Sequence, residues 1–343
     1  MEKSIRWIPR FFRSVTFYPI LGCVFNSLLS SRWFRSYYLE RHQSQSRDGI
    51  LKNINQLLGF AGLDDQLRVR FRSLEFQIVH GCNLHCQGCV TFSPFRKGFE
   101  SHEQIVQWSQ AWNSKLAPDY VTILGGEPLL HKDLAKIIRS INELWSKSKV
   151  RIVTNGMMLP KADRSVFDAI KETETEVEIS KHYQSEDFDR EFEHAVSFLD
   201  KANITYKIRP SYEYWRTIYQ VNQTGEFYPF DSDPSKAWND CNSKNSVTLM
   251  DNMLFKCSIL AVVYKGCNTD ILVDEWMKRY NYTPLTPDAT QIEIHNHLYS
   301  EDIPVCSICT EKSVPLKIGD PRFRPEKNTV AEKKIADTPV KLI

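Results

Sequence analysis

The chain has 343 residues, 42% of them hydrophobic and 25% charged, which fits one large soluble domain plus a smaller one and excludes a disordered or fibrous chain. The net charge of +2 is uneven: residues 1–41 hold seven bases against two acids and the remainder is mildly acidic, so the broad basic surface of a nucleic-acid enzyme is missing. Nine cysteines and no clear signal peptide argue for reduced thiols in the cytoplasm rather than a secreted disulfide framework. The apolar run 15–29, broken by Pro19, Gly22 and Asn26, is too short to span a bilayer.

Residues 1–72 read as a helical, aromatic and basic extension, with one amphipathic helix over 50–63 closed by Gly62. Trp7, Phe11, Phe12, Phe17, Trp33 and Phe34 beside the bases of 1–41 suit peripheral contact with an anionic membrane surface; a helical cap is the other reading. From residue 73 short β-rich runs alternate with helical ones. Strands are expected over 74–80, 120–124, 150–154, 176–180 and 205–209, and helices from the capping box Ser101–Gln104, over 132–146 and over 187–202. Such alternation implies a parallel sheet covered by helices. After about residue 240 the pattern gives short strands over 247–250 and 253–255, joined by an Asp251–Asn252 turn, then irregular loops. The expected divisions are 1–72, 73–238, 239–320 and a loose tail over 321–343.

Chemistry concentrates where strands end, because ligands in parallel α/β folds bind at the carboxyl ends of strands. The first strand runs into Cys82, Cys86 and Cys89, a C-x3-C-x2-C loop. The second runs into Gly125, Gly126 and Glu127, the third into Asn155 and Gly156, the fourth into Ser180, Lys181 and His182, and the fifth ends at Arg209. Three close thiolates can hold three irons of a [4Fe–4S] cluster and leave the fourth iron open; a structural zinc completed by His80 or His85 is the competing reading. Arg209 can bind a carboxylate or phosphate, or pair with an acid. His182, Tyr183, Glu213 and Tyr214 could face a substrate.

C-x3-C-x2-C after a first barrel strand, followed by Gly125–Gly126–Glu127–Pro128 and Thr154–Asn155–Gly156, resembles the radical S-adenosylmethionine (SAM) superfamily. That resemblance implies a partial (β/α)6 TIM barrel and a cluster on Cys82, Cys86 and Cys89 that binds SAM. It implies reductive cleavage of SAM to a 5′-deoxyadenosyl radical, fed by a donor such as flavodoxin or ferredoxin. It also assigns Gly125, Gly126, Glu127, Asn155, Ser180 and Arg209 to the SAM pocket, with the Glu127 carboxylate on the SAM ammonium. Gly88 departs from the pattern, where many members carry an aromatic residue.

Cys241, Cys257, Cys306 and Cys309, with Cys267 as a spare and Cys23 apart from them, could hold a zinc. Beside a radical SAM core they resemble a Twitch domain, a shortened SPASM domain, whose auxiliary [4Fe–4S] cluster would use those four. The resemblance points to hydrogen abstraction from a small polar, sugar-like substrate, with dehydrogenation or epimerisation as the outcome. A maturase of ribosomal peptides and a non-catalytic iron–sulfur or zinc interaction protein are the alternatives.

Overall fold

The structure is a computed structural model. It describes residues 62–64, 66–214, 219–221, 227–267, 274–312 and 318–323. The expected membrane-contacting segment, nearly all of the helix over 50–63, Cys23 and the side chain of Cys267 lie outside the described residues. No helix among the described residues is long and apolar enough to cross a membrane.

Five strands follow one another in a parallel sheet: β1 (Val69–Val79), β2 (Leu116–Gly125), β3 (Lys149–Thr154), β4 (Glu176–Lys181) and β5 (Tyr206–Pro210). The crossovers carry helices α1 (His102–Trp112), α2 (Leu134–Leu144), α3 (Arg164–Glu172) and α4 (Glu186–Lys201). Period-two alternation sorts the strand residues. Leu74, Phe76 and Ile78, Val121 and Ile123, Val150 and Ile152, and Val177 and Ile179 are buried on the helix-facing side. The helices contribute the buried Trp108 and Trp112, Ile137 and Ile141, Ile170, and Phe188, Phe192 and Leu199. Helix starts follow their caps: the Ser101 hydroxyl accepts from the Gln104 N–H at 3.2 Å and the Gln104 side chain answers the Ser101 N–H at 2.8 Å.

The opposite face is polar. Register places Ser73 and Glu75 beside Ser246 and Thr248, Thr122 beside Arg151, Arg151 beside Glu176, and Ser180 beside Arg209. This face is the lumen of the partial barrel.

Beyond β5 come the short pair β6 (Tyr219–Val221) and β7 (Phe227–Pro229), then α5 (Pro234–Asn239), β8 (Ser246–Met250) and β9 (Met253–Phe255). The hairpin is as expected, with Asp251 at φ 51° and Asn252 at φ 59°, the left-handed pair a two-residue turn requires. Its place is new: β8 pairs parallel with β1, giving the order β5-β4-β3-β2-β1-β8-β9. The sixth parallel strand therefore comes from downstream and sits at the β1 edge.

The stretch expected to be irregular holds three helices, α6 (Ser258–Cys267), α7 (Asp274–Arg279) and α8 (Gln291–Tyr299). The run Ile259–Leu260–Ala261–Val262–Val263 is buried throughout, so neither helical nor strand periodicity shows in its sequence. It joins one core with Met250, Phe255, Trp276, Val305, Ile308 and, from the cysteine loop, Phe92.

The described residues form two compact bodies. The larger holds 72–113, 118–287 and 300–323. The smaller holds 62–71, 114–117 and 288–299, closed by Tyr299 Oη donating to the Arg70 carbonyl at 2.7 Å and Lys115 Nζ to the Ala289 carbonyl at 2.8 Å.

Candidate active site and iron–sulfur centre

The loop after β1 is assembled by its neighbour β2. The Gly126 N–H donates to the Val79 carbonyl at 2.7 Å and the Glu127 N–H to the Gly81 carbonyl at 3.0 Å, which carries the parallel ladder past the strand end. A Cβ on Gly126 would lie 1.9 Å from the Gly81 oxygen, so only glycine permits this approach.

Within the loop the Cys86 thiol is pushed up by burial and then by the charges of Cys89 and Cys82, which places the three sulfurs within electrostatic reach of one another. Burial, with Glu127 next, raises the Cys82 thiol to about 12. Cys82 Sγ accepts from the Leu84 N–H at 3.4 Å and from Asn155 Nδ2 at 3.5 Å, and the Cys89 thiol meets the Thr91 hydroxyl at 3.2 Å. Gly88 has φ 69°, a left-handed conformation that disfavours the aromatic residue many relatives carry there.

Both ring nitrogens of His80 are engaged: Nε2 with Glu100 at 2.8 Å and Nδ1 with Arg96 Nη2 at 3.0 Å. Since a guanidinium only donates, Nδ1 accepts and the proton is assigned to Nε2. Burial, outweighing Glu100, holds the ring pKa below the ordinary histidine value. His80 is thus not free to complete a zinc site. Among the described residues no three His, Cys, Asp or Glu side chains converge tightly enough to hold one metal ion. A four-iron cube asks for something else, three thiols on one loop each taking a different iron, and the loop fits that demand.

Glu127 is fully buried. Its carboxylate accepts from the Thr154 hydroxyl at 2.6 Å, the Asn155 N–H at 2.8 Å and the Leu129 N–H at 3.0 Å. Burial raises its pKa to about 7 against those hydrogen bonds. This carboxylate points toward β3, where it clamps two strand ends together. Asn155 then passes the clamp on, with Nδ2 on Asn83 Oδ1 at 2.8 Å as well as on Cys82.

Ser180 and Arg209 also meet. Arg209 Nη2 donates to the Ser180 hydroxyl at 3.0 Å and Nη1 lies 3.3 Å from Glu178, so Arg209 pairs with an acid. His182 is pushed down to about 4 by burial and then by Arg209. Tyr183 packs edge-on against Phe188, Glu213 is exposed, and the side chain of Tyr214 lies outside the described residues.

Of the second cysteine set, Cys257 and Cys306 each feel the charge of Cys241. Burial raises Cys257 to about 12, with Cys241 and Cys306 adding to it, and Cys306 is raised by burial and Cys241. The Cys309 N–H donates to the Cys306 carbonyl at 3.1 Å. Sequence reasoning missed Lys256, which is buried beside Cys257 and Cys306 with its ammonium 4.8 Å from the Trp238 ring. It also passed over Glu75 and Gln77, although the alternation along β1 marked them as facing away from the helix side.

Among curated proteins, a GTP 3′,8-cyclase of Staphylococcus saprophyticus is 29% identical over 115 residues, 31% of this chain and 34% of that protein. One from Psychromonas ingrahamii is 34% identical over 110 residues, 31% of this chain and 32% of its own. The chain spans about a third of the length of these relatives. The solved structure of BtrN in complex with AdoMet and 2-DOIA is 14% identical, covers 74% of this chain and 98% of that one, and aligns with a TM-score of 0.42. Streptococcus suis SuiB is 13% identical, with 87% of each chain covered and a TM-score of 0.36. Residues 76–206 match the model of the radical SAM superfamily. That segment contains the cysteine loop, the Gly125–Gly126–Glu127 ending and Asn155, so residues 76–206 form a radical SAM domain, the kind of domain that holds SAM on a [4Fe–4S] cluster.

Proposed function

We propose that the protein is a radical SAM enzyme acting on a small polar, sugar-like molecule, with dehydrogenation or epimerisation as the outcome. The observation that carries this reading is the brace Glu127–Asn155–Cys82, which ties the endings of β2 and β3 to the first cysteine of the loop. Cys82, Cys86 and Cys89 would hold the cluster, and Gly125 and Gly126 would keep the end of β2 against the cysteine loop, their Cβ positions being filled by the Val79 and Gly81 backbone. Three of the roughly four acceptor positions of Glu127 are used, which leaves one for the SAM ammonium. A cluster held on Cys82, Cys86 and Cys89 would supply one electron to SAM, cleaving its sulfonium to methionine and a 5′-deoxyadenosyl radical.

Cys241, Cys257, Cys306 and Cys309 would hold a second [4Fe–4S] cluster in the manner of a Twitch domain. Four thiolates leave no open iron, which suits passage of an electron rather than binding of SAM. The electron for SAM cleavage would come from a donor of the flavodoxin or ferredoxin kind.

The test is anaerobic reconstitution followed by a screen for 5′-deoxyadenosine. We expect about eight irons per chain, four per cluster, and SAM cleavage that disappears when Cys82, Cys86 and Cys89 are replaced by Ala. A firmly bound zinc and no brown chromophore would overturn the reading.

A further inference from the structure

β1 sends Leu74, Phe76 and Ile78 into the core beneath the helices and leaves Glu75 and Gln77 on the lumen side. Glu75 lies beside Thr248 in register, takes a hydrogen bond from Ser246, and feels the charge of Arg209 on the far strand β5. Gln77 is one step nearer the cysteine loop on the same face. It is 3% exposed, and its Nε2 has no hydrogen-bond partner. A buried amide donor left unpaired is costly, and its persistence in a lumen is explained by a ligand that supplies the acceptor.

We infer that Gln77, with Glu75 below it and Arg209 across the lumen, forms a subsite that binds a polyhydroxylated ring without phosphate. Gln77 Nε2 donates to a ring or hydroxyl oxygen, and Glu75 accepts from a hydroxyl or amine. Glu178 and Arg209 pair with each other, so the lumen presents acid and base together rather than one sign of charge. That pairing fits a molecule whose edge offers donors and acceptors together. This rests on the proposed function and names the substrate class of the same site.

The experiment uses reconstituted protein with SAM, the probes myo-inositol, D-glucosamine and GTP, saturation-transfer NMR for binding, and the variant Gln77→Leu. A ring probe should bind wild type, and the variant should bind it at least about tenfold more weakly, the loss expected for one directional hydrogen bond. Uncoupled SAM cleavage should be unchanged. The ligand-free variant should melt higher than wild type, because an unsatisfied donor has been removed; a structural glutamine would give the opposite shift.

Equal ring affinity in the variant, or a lower melting temperature, overturns the inference. So does an equal loss of SAM affinity, which would give Gln77 to the cofactor. Wild type that cleaves SAM yet binds neither ring overturns the subsite alone, and one that prefers GTP overturns the subsite together with the substrate class of the proposed function. Wild type that binds a ring but never cleaves SAM overturns the proposed function and supports the subsite.

Discussion

Lys265 of α6 lies 3.4 Å from the buried carboxylate of Glu100 and 2.7 Å from Asp251. Glu100 also holds His80, two residues before Cys82, so one acid ties the second half of the chain to the support of the first cysteine loop. Glu100→Gln should therefore cost roughly 1–3 kcal/mol, since the buried His80 and Arg96 lose their acid while Lys265 keeps Asp251. Urea unfolding of the ligand-free protein measures this. A loss under about 1 kcal/mol would show that the network is solvated.

The Glu127 carboxyl has its pKa raised to about 7 by burial. A raised carboxyl contributes stability that is fully present below its unfolded value and lost as pH rises through the folded one. Ligand-free protein should thus lose stability between about pH 4.5 and pH 7 on this account. Glu127→Gln should flatten that part of the profile. Melting temperatures from pH 5 to pH 8 test it, and identical slopes in the two proteins would remove Glu127 from the explanation.

A Cβ at Gly126 would strike the Gly81 oxygen at 1.9 Å, whereas one at Gly319 would meet nothing within 4 Å. Gly126→Ala should cost about 1–3 kcal/mol or more, as forced overpacking does, and should weaken SAM binding by parting β2 from the loop. Gly319→Ala should stay within about 0.5 kcal/mol of wild type. The paired variants, compared by thermal melting and equilibrium SAM binding, separate close approach from a general intolerance of alanine.

Replacing Cys306 and Cys309 by Ala should remove about four irons, one cluster's worth, and spare uncoupled 5′-deoxyadenosine formation with a strong reductant. Substrate turnover should fall steeply. Circular dichroism comes first, because metal binding and folding are coupled. A folded variant with full turnover would leave the second site without a part in the reaction.

The strand endings were legible in the sequence for a local reason. Glycine pairs, Asn-Gly and clustered cysteines sit directly after short β-rich runs, so the endings of β1 to β5 could be placed from spacing, while the roles given to them came from the resemblance. Two misses have different causes. Ile259 to Val263 are apolar on every side, and no periodicity separates a buried helix from a buried strand there. The pairing of β8 with β1 depends on contacts between Ser73 and Ser246, far apart in sequence, which local pattern does not encode. The turn of the Glu127 carboxylate toward Asn155 is likewise a matter of where two strands end in space.

Phe92 packs with Val305 and Ile308 in one core, and those partners lie about 200 residues further along the chain. At synthesis rates of roughly 5–20 residues per second, the cysteine loop leaves the ribosome about 10–40 s before the residues that cover it exist. For that interval Cys82, Cys86 and Cys89 belong to an unfinished surface. Iron delivered during translation would meet three mobile thiols, whereas iron delivered afterwards would meet a loop already braced by Asn155 and roofed by α6. Damage to residues near 305 would therefore be felt at a cysteine loop encoded about 200 residues earlier.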